Sequence, residues 1–269
     1  MPVPSAVPFP DRLRAAQRAA GSALCVGLDP DPATLALPAP GVPVGLAVVL
    51  ACTDLVRATA DVACAYKPNA AFFEALGADG SEVLAEVVAA VRRHAPHALV
   101  VLDGKRGDVG HTAAMYARAA FDALGADAAT VAPYMGPTSV VPFLGDATRA
   151  AFVLARTSNP GADALQGLDV GGVPLFERVV ALAQDWAASH AGTLGFVAGA
   201  TDTAALARIR TLAPAAPLLV PGVGAQGGDL EAAMTANAGG PILVNVGRAI
   251  AGADDPADAA RTFAARMRV

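Results

Sequence analysis

The chain has 269 residues, 54% of them hydrophobic and only 16% charged, which is too apolar for a disordered protein and enough for a large buried core. Its 19 Lys and Arg are outnumbered by 24 Asp and Glu, a net charge of −5. That excludes the broad cationic surface that nucleic acid or an anionic membrane would need, so any phosphate must be caught by a local site.

The start of the chain has neither the basic segment nor the apolar run of a secretory signal, and a cytoplasmic location is expected. Residues 1–10 read as an N-terminal extension without a binding motif. From Ala23 onward, short β-rich runs alternate with Ala-rich stretches long enough for helices. The first strand runs from Ala23 to Leu28. The stretch that follows, Pro32 to Thr53, is uncharged but broken by Pro38, Pro40, Gly41, Pro43 and Gly45, so it is no membrane span. The segment Pro30 to Pro43 carries no motif that assigns it a role. Further strands are predicted at Val62 to Lys67, Ala98 to Asp103, Ala128 to Ala132, Ala151 to Ala155, Leu194 to Ala198, Leu218 to Pro221 and Ile242 to Val246. Between them, helices are predicted at Ser81 to His94, Thr112 to Leu124, Leu175 to Ser189, Thr203 to Leu212 and Leu230 to Ala236.

Eight such repeats point to an α/β protein, a (β/α)8 TIM barrel in one domain spanning residues 1–269, a fold that typically takes ~250 residues. An open dinucleotide-binding sheet would carry GxGxxG after its first strand, whereas Gly27 leads into Leu28, Asp29 and Pro30. Cys25, Cys52 and Cys64 are odd in number and lack CxxC spacing, as expected of core thiols. The four histidines form no zinc pattern.

Barrel chemistry sits where strands end, and the polar residues that punctuate these apolar runs are Asp29, Lys67, Asp103 with Lys105, Ser158, Gln226 and Arg248. Asp103 and Lys105 are two apart and share a strand face with Leu99 and Val101. If that face looks inward, both point into the barrel mouth, while Asp108 lies in the loop beyond. Lys67 adds a second cation from the neighbouring strand. Alternating charges in an apolar mouth favour the charged form of each partner, which suits a lysine acid and not a Schiff-base nucleophile. At the seventh and eighth strands, the loop GVGAQGG, the Gln226 amide and the Arg248 guanidinium form a candidate phosphate site.

Six segments together resemble the orotidine 5′-phosphate decarboxylase family, in particular its longer bacterial (type 2) branch: GLDP from Gly27, KPNAAFFE from Lys67, LDGKRGDVGHT from Leu102, RTSNPG from Arg156, VPGVGAQGGD from Val220 and VNVGRAI from Val244. The resemblance implies cofactor-free loss of the C6 carboxylate from orotidine 5′-phosphate, giving UMP in de novo pyrimidine biosynthesis. It assigns Lys67, Asp103, Lys105 and Asp108 to a charged tetrad, with no metal. It further implies that Asp29 and Lys67 bind ribose hydroxyls, Ser158 the pyrimidine, and Gln226 with Arg248 the phosphate. Asp108 and Thr112 would reach the partner's site in a homodimer. Two rival readings are a metal-dependent sugar-phosphate lyase or aldolase, which would want an acidic residue where Lys67 stands, and a phosphate-ligand binder without catalysis.

Overall fold

The computed structural model describes residues 7–33, 41–224 and 227–269. It opens with α1 (Phe9–Ala20) and β1 (Leu24–Leu28), followed by α2 (Val44–Thr59), β2 (Ala65–Pro68), α3 (Ala70–Glu74) and α4 (Gly80–His94). Next come β3 (Leu99–Arg106), α5 (Gly110–Arg118), β4 (Ala128–Val131), α6 (Pro137–Val140), β5 (Ala150–Arg156) and α7 (Asp163–Gln166). The remainder is α8 (Leu175–Ala187), β6 (Thr193–Ala198), α9 (Thr203–Leu212), β7 (Leu218–Val220), α10 (Leu230–Asn237), β8 (Ile242–Val246), α11 (Arg248–Ala251) and α12 (Pro256–Ala265). The eight strands are parallel and close in sequence order, with Leu24 of β1 registered on Val244 of β8. This is the expected (β/α)8 barrel.

β8 and α9 match the sequence expectation residue for residue. The helix expected over Thr112 to Leu124 starts earlier, and its last turn, Ala119–Ala123, widens into a π-helix before Gly125 ends it at φ 74°. Sequence periodicity does not reveal α2, because the half that follows Pro43 has no charged residue to mark an outer face. Residues 34–40 of the Pro-rich segment lie outside the described residues.

Strand parity divides the core into two shells. Val26, Leu28, Tyr66, Val100, Val244 and Val246 face the helices, while Cys25, Ala65, Leu99, Val101, Ala128, Phe152, Val197, Leu219 and Leu243 fill the barrel. Phe152 fits because its neighbour on β6 is Gly195, where a Cβ would stand 2.7 Å from the Phe152 ring. The three cysteines are free and buried, as core thiols should be. Tyr66 and Phe73 are buried in the outer shell, and Tyr116 lies under the Arg106 guanidinium.

The N-terminal end of the barrel is closed by α1. Phe9 and Leu13 join the inner shell, and Phe9 meets Phe152 edge-on at 6.3 Å. Phe9 and Pro10 therefore belong to the fold and not to an extension; burying one such phenylalanine stabilises by about 1.5–3 kcal/mol. Polar bonds lock the plug: Gln17 donates to the Ile242 carbonyl at 2.7 Å, and Arg12 to the Thr148 carbonyl at 2.9 Å. Arg12 also pairs with Asp127, a buried carboxylate that Arg92 binds from α4 at 2.8 Å.

Candidate active site

At the opposite end, the inward-facing columns of β2, β3, β4 and β8 turn from apolar to polar. Above Ala65 stands Lys67, above Val101 Asp103, above Ala128 Thr130 and above Leu243 Asn245. These four, with Asp29, Asn69, Lys105 and the Thr157–Asn159 segment, line a cavity of about 450 Å³, the size of a small-molecule site. A cleft of about 500 Å³ between α4 and α5 is mostly alanine and other apolar side chains, with the Glu74–Arg106 pair at its edge. Size alone would not choose between them; the convergent charges do.

The carboxylate of Asp103 is the hub. Lys67 Nζ donates to its Oδ2 at 2.7 Å, and Lys105 Nζ to its Oδ1 at 2.7 Å. Lys67 and Asp103 are 3% and 9% exposed, so water contributes little to their solvation. Burial alone would raise the Asp103 pKa, but the charges of Lys67 and Lys105, with their hydrogen bonds, lower it to about 2. Burial would likewise depress Lys67, yet the carboxylates of Asp103 and Asp29 outweigh it and hold the ammonium above its ordinary value. Both partners are thus charged at neutral pH. Breaking such a buried pair by removing one member typically costs about 3–5 kcal/mol.

Asp29, just past β1, is different. Burial pushes its carboxyl pKa up, with Asp103 adding to the push; Lys67, Lys105 and Arg248 offset this only in part. Its Oδ1 is buried without a hydrogen-bond partner among the described residues. A carboxylate oxygen left in that state is suited to accept hydrogen bonds from a ligand's hydroxyl groups.

Across the mouth, the loop after β5 is tied down from below. Arg156 donates to Asp202 at 2.9 Å and to Asp163 at 2.6 Å. Gln166 accepts from the Thr157 N–H at 2.9 Å and donates to its Oγ1 at 2.8 Å. Ser158 then sits against Gly199 so closely that a Cβ there would lie 2.8 Å from the Ser158 nitrogen, and any larger residue would displace it.

The structure therefore gathers Asp29, Lys67, Asp103, Lys105 and Ser158 around one cavity. Asp108 and Thr112, in the loop after β3 and the first turn of α5, are outside its lining. Arg248, the exposed first residue of α11, stands at the rim, where its charge still acts on Asp29. Gln226 lies outside the described residues. Sequence reasoning did not single out Thr130, Asn245, Asn69 or Gln166; for Thr130 and Asn245 the available signal was a lone polar residue inside an apolar strand, as in Ala-Thr-Val and Val-Asn-Val.

A model of the "Orotidine 5'-phosphate decarboxylase / HUMPS family" matches residues 22–263. An orotidine 5′-phosphate decarboxylase from Azoarcus sp. is 48% identical over 267 residues, covering 97% of each chain. Among solved structures, Leishmania donovani OMP decarboxylase superposes with a TM-score of 0.84 at 41% identity, covering 96% of each chain. Leishmania donovani UMP synthase gives 0.86 at 43% identity; 97% of this chain is covered, but only 56% of that longer one.

Proposed function

Because the chain belongs to the orotidine 5′-phosphate decarboxylase / HUMPS family, we propose that its charged cavity strips the C6 carboxylate from orotidine 5′-phosphate using side chains alone. The enzyme is a carbon–carbon lyase of pyrimidine biosynthesis, and its products are UMP and carbon dioxide. The observation that carries the mechanism is the buried Asp103 carboxylate bracketed by two ammonium groups at 2.7 Å each.

In this reading, Arg248 at the rim holds the phosphate, with Gln226 as its second donor by the family pattern, the ribose hydroxyls meet Asp29 and Lys67, and Ser158 fixes the pyrimidine. The substrate carboxylate then lies against Asp103, whose charge repels it until carbon dioxide leaves. The C6–carboxylate bond breaks, its electron pair stays on C6, and Lys105 Nζ stabilises that charge and delivers the proton. Lys67 already satisfies the Asp103 oxygen that a divalent cation would seek, so the donor set disfavours metal-dependent aldolase chemistry.

Asp108 and Thr112 are assigned to the partner's cavity in a homodimer. They flank Val109 and precede Met115, both exposed apolar residues, and Gly110 approaches Thr138 just beyond the exposed Tyr134 and Met135. Such a face, rimmed by polar groups, fits a self-complementary interface. We read residues 1–269 as one catalytic domain of the longer bacterial branch. Among the described residues, no helix is long and apolar enough to cross a membrane. Three unpaired thiols suit the reducing cytoplasm, where we place the reaction.

Purified protein with orotidine 5′-phosphate in excess EDTA should show the absorbance change of conversion to UMP, at a kcat of order 1–10³ s⁻¹. Folded protein without turnover would sink the assignment, and turnover of sugar phosphates restored by Mg²⁺ would favour the aldolase reading.

The unpartnered Asp29 carries its own prediction. A carboxylate whose folded pKa lies above its unfolded value costs stability at every pH where it is charged, and the cost vanishes as pH falls below the unfolded value. Asp29→Asn should therefore melt a few degrees higher than wild type at pH 7, with the gain disappearing toward pH 4. Losing its charge-assisted bonds to ribose should lower kcat/KM about 10–100-fold. Thermal melts across pH, paired with steady-state kinetics, read both effects; a variant less stable at pH 7 with unchanged kcat/KM would contradict this role.

A further inference from the structure

We propose that Thr130 is a positioning residue for decarboxylation, its one hydroxyl fixing both ends of the Asp103–Gly104–Lys105 turn; this rests on the reading of the site given above. Lys105 has φ 47°, and with Ala238 it is one of two non-glycine residues at positive φ among the described residues. A lysine does not choose that left-handed conformation unaided. Nor does the sheet impose it, because the β3–β4 register breaks between Leu102 and Arg106, over the stretch that contains Lys105. The backbone N–H of Lys105 is held instead by Thr130 Oγ1 at 2.9 Å.

The same hydroxyl has one proton to give, and it donates it to Asp103 Oδ1 at 2.9 Å. The direction is fixed by chemistry, since an amide N–H can only donate and an ionised carboxylate can only accept. Oδ1 is also the oxygen that Lys105 Nζ binds at 2.7 Å. One atom of β4 thus anchors the backbone from which Lys105 projects and the oxygen toward which its ammonium points. Thr130 is 1% exposed, so water has little access to its hydroxyl. Through them it sets the distance from the Lys105 ammonium to the reacting carbon, and a misplacement of about 1 Å in such a group costs on the order of 10²-fold in rate.

A threonine that merely filled space would be replaced without loss by valine, its near-isostere. Thr130→Val should instead lower kcat about 10- to 100-fold, with KM and the affinity for UMP within about threefold of wild type, because ground-state contacts to phosphate and ribose are untouched. Thr130→Ser, which restores the hydroxyl, should recover kcat to within about threefold. Circular dichroism establishes that each variant is folded; should the valine variant not fold, Thr130→Ala takes its place under the same criteria. The role is overturned if the hydroxyl-free variant keeps wild-type kcat, if serine fails to rescue it, or if UMP affinity falls in step with kcat. Wild type is assayed alongside: an inactive wild type rejects the decarboxylase reading itself, whereas an active wild type matched by the valine variant rejects only the role of Thr130.

Discussion

Lys105→Met is expected to lower kcat by roughly 10⁵-fold while the affinity for UMP stays within about tenfold of wild type. The two halves of the loss have separate origins. A fixed charge aimed at a developing anion contributes on the order of 10²–10³-fold, and a positioned proton donor a further 10²–10⁴-fold. Methionine keeps the length and apolar stem but supplies neither. The Lys105 side chain is 49% exposed within the open mouth and 2.7 Å from Asp103, so it is free to face a ligand while remaining tethered. UMP has no carboxylate at C6 and gains little from that ammonium, which is why product binding is spared. Stopped-flow turnover and UMP titration separate the effects. A methionine variant within about 100-fold of wild type would mean that another group protonates C6.

The second large effect concerns two chains at once. Lys105→Ala and Asp108→Asn homodimers should each be severely impaired, yet co-expressed as a mixture they should recover roughly a quarter of wild-type activity, because in a two-fold dimer one of the two sites of each heterodimer then combines an intact Lys105 with the other chain's intact Asp108. Half the dimers in an equal mixture are of that kind, and half their sites are whole. In the single chain, Asp108 lies outside the cavity that holds Lys67, Asp103 and Lys105 and caps its own loop by accepting the Val109 N–H at 2.7 Å. Assays of the mixture against each parent decide the matter; activity no greater than the sum of the parents would place Asp108 in its own chain's site or in none.

Lys67 and Asp103 could be picked out from sequence because a strand buried on both faces is a continuous apolar run, and a charged residue that ends such a run stands out. Leu99 and Val101 lie in the inner shell beneath Asp103, as strand alternation predicts, whereas Lys105, at φ 47° within the break in register, reaches the mouth by a backbone turn that alternation does not foresee. Thr130 escaped because its meaning depends on a neighbour: a threonine in a strand is ordinary until the break in β3 register leaves an amide for it to satisfy. The Gln166–Thr157 clasp and the Arg156 bonds to Asp163 and Asp202 span loops whose paths no periodicity encodes. α2 hid in a stretch with no charge contrast, and the place of α1 is set by partners more than a hundred residues away.

That last feature bears on how the chain folds as it is made. Gln17 waits for the carbonyl of Ile242, 225 positions later, and Phe9 for Phe152. α1 is made long before the strands that complete its seat, so its apolar face must stay covered or tolerated until they follow. Contacts of such long sequence separation slow the final step of folding. Sealing of the barrel floor should therefore coincide with completion of the eighth strand, and a chain truncated before Ile242 should leave α1 accessible to protease.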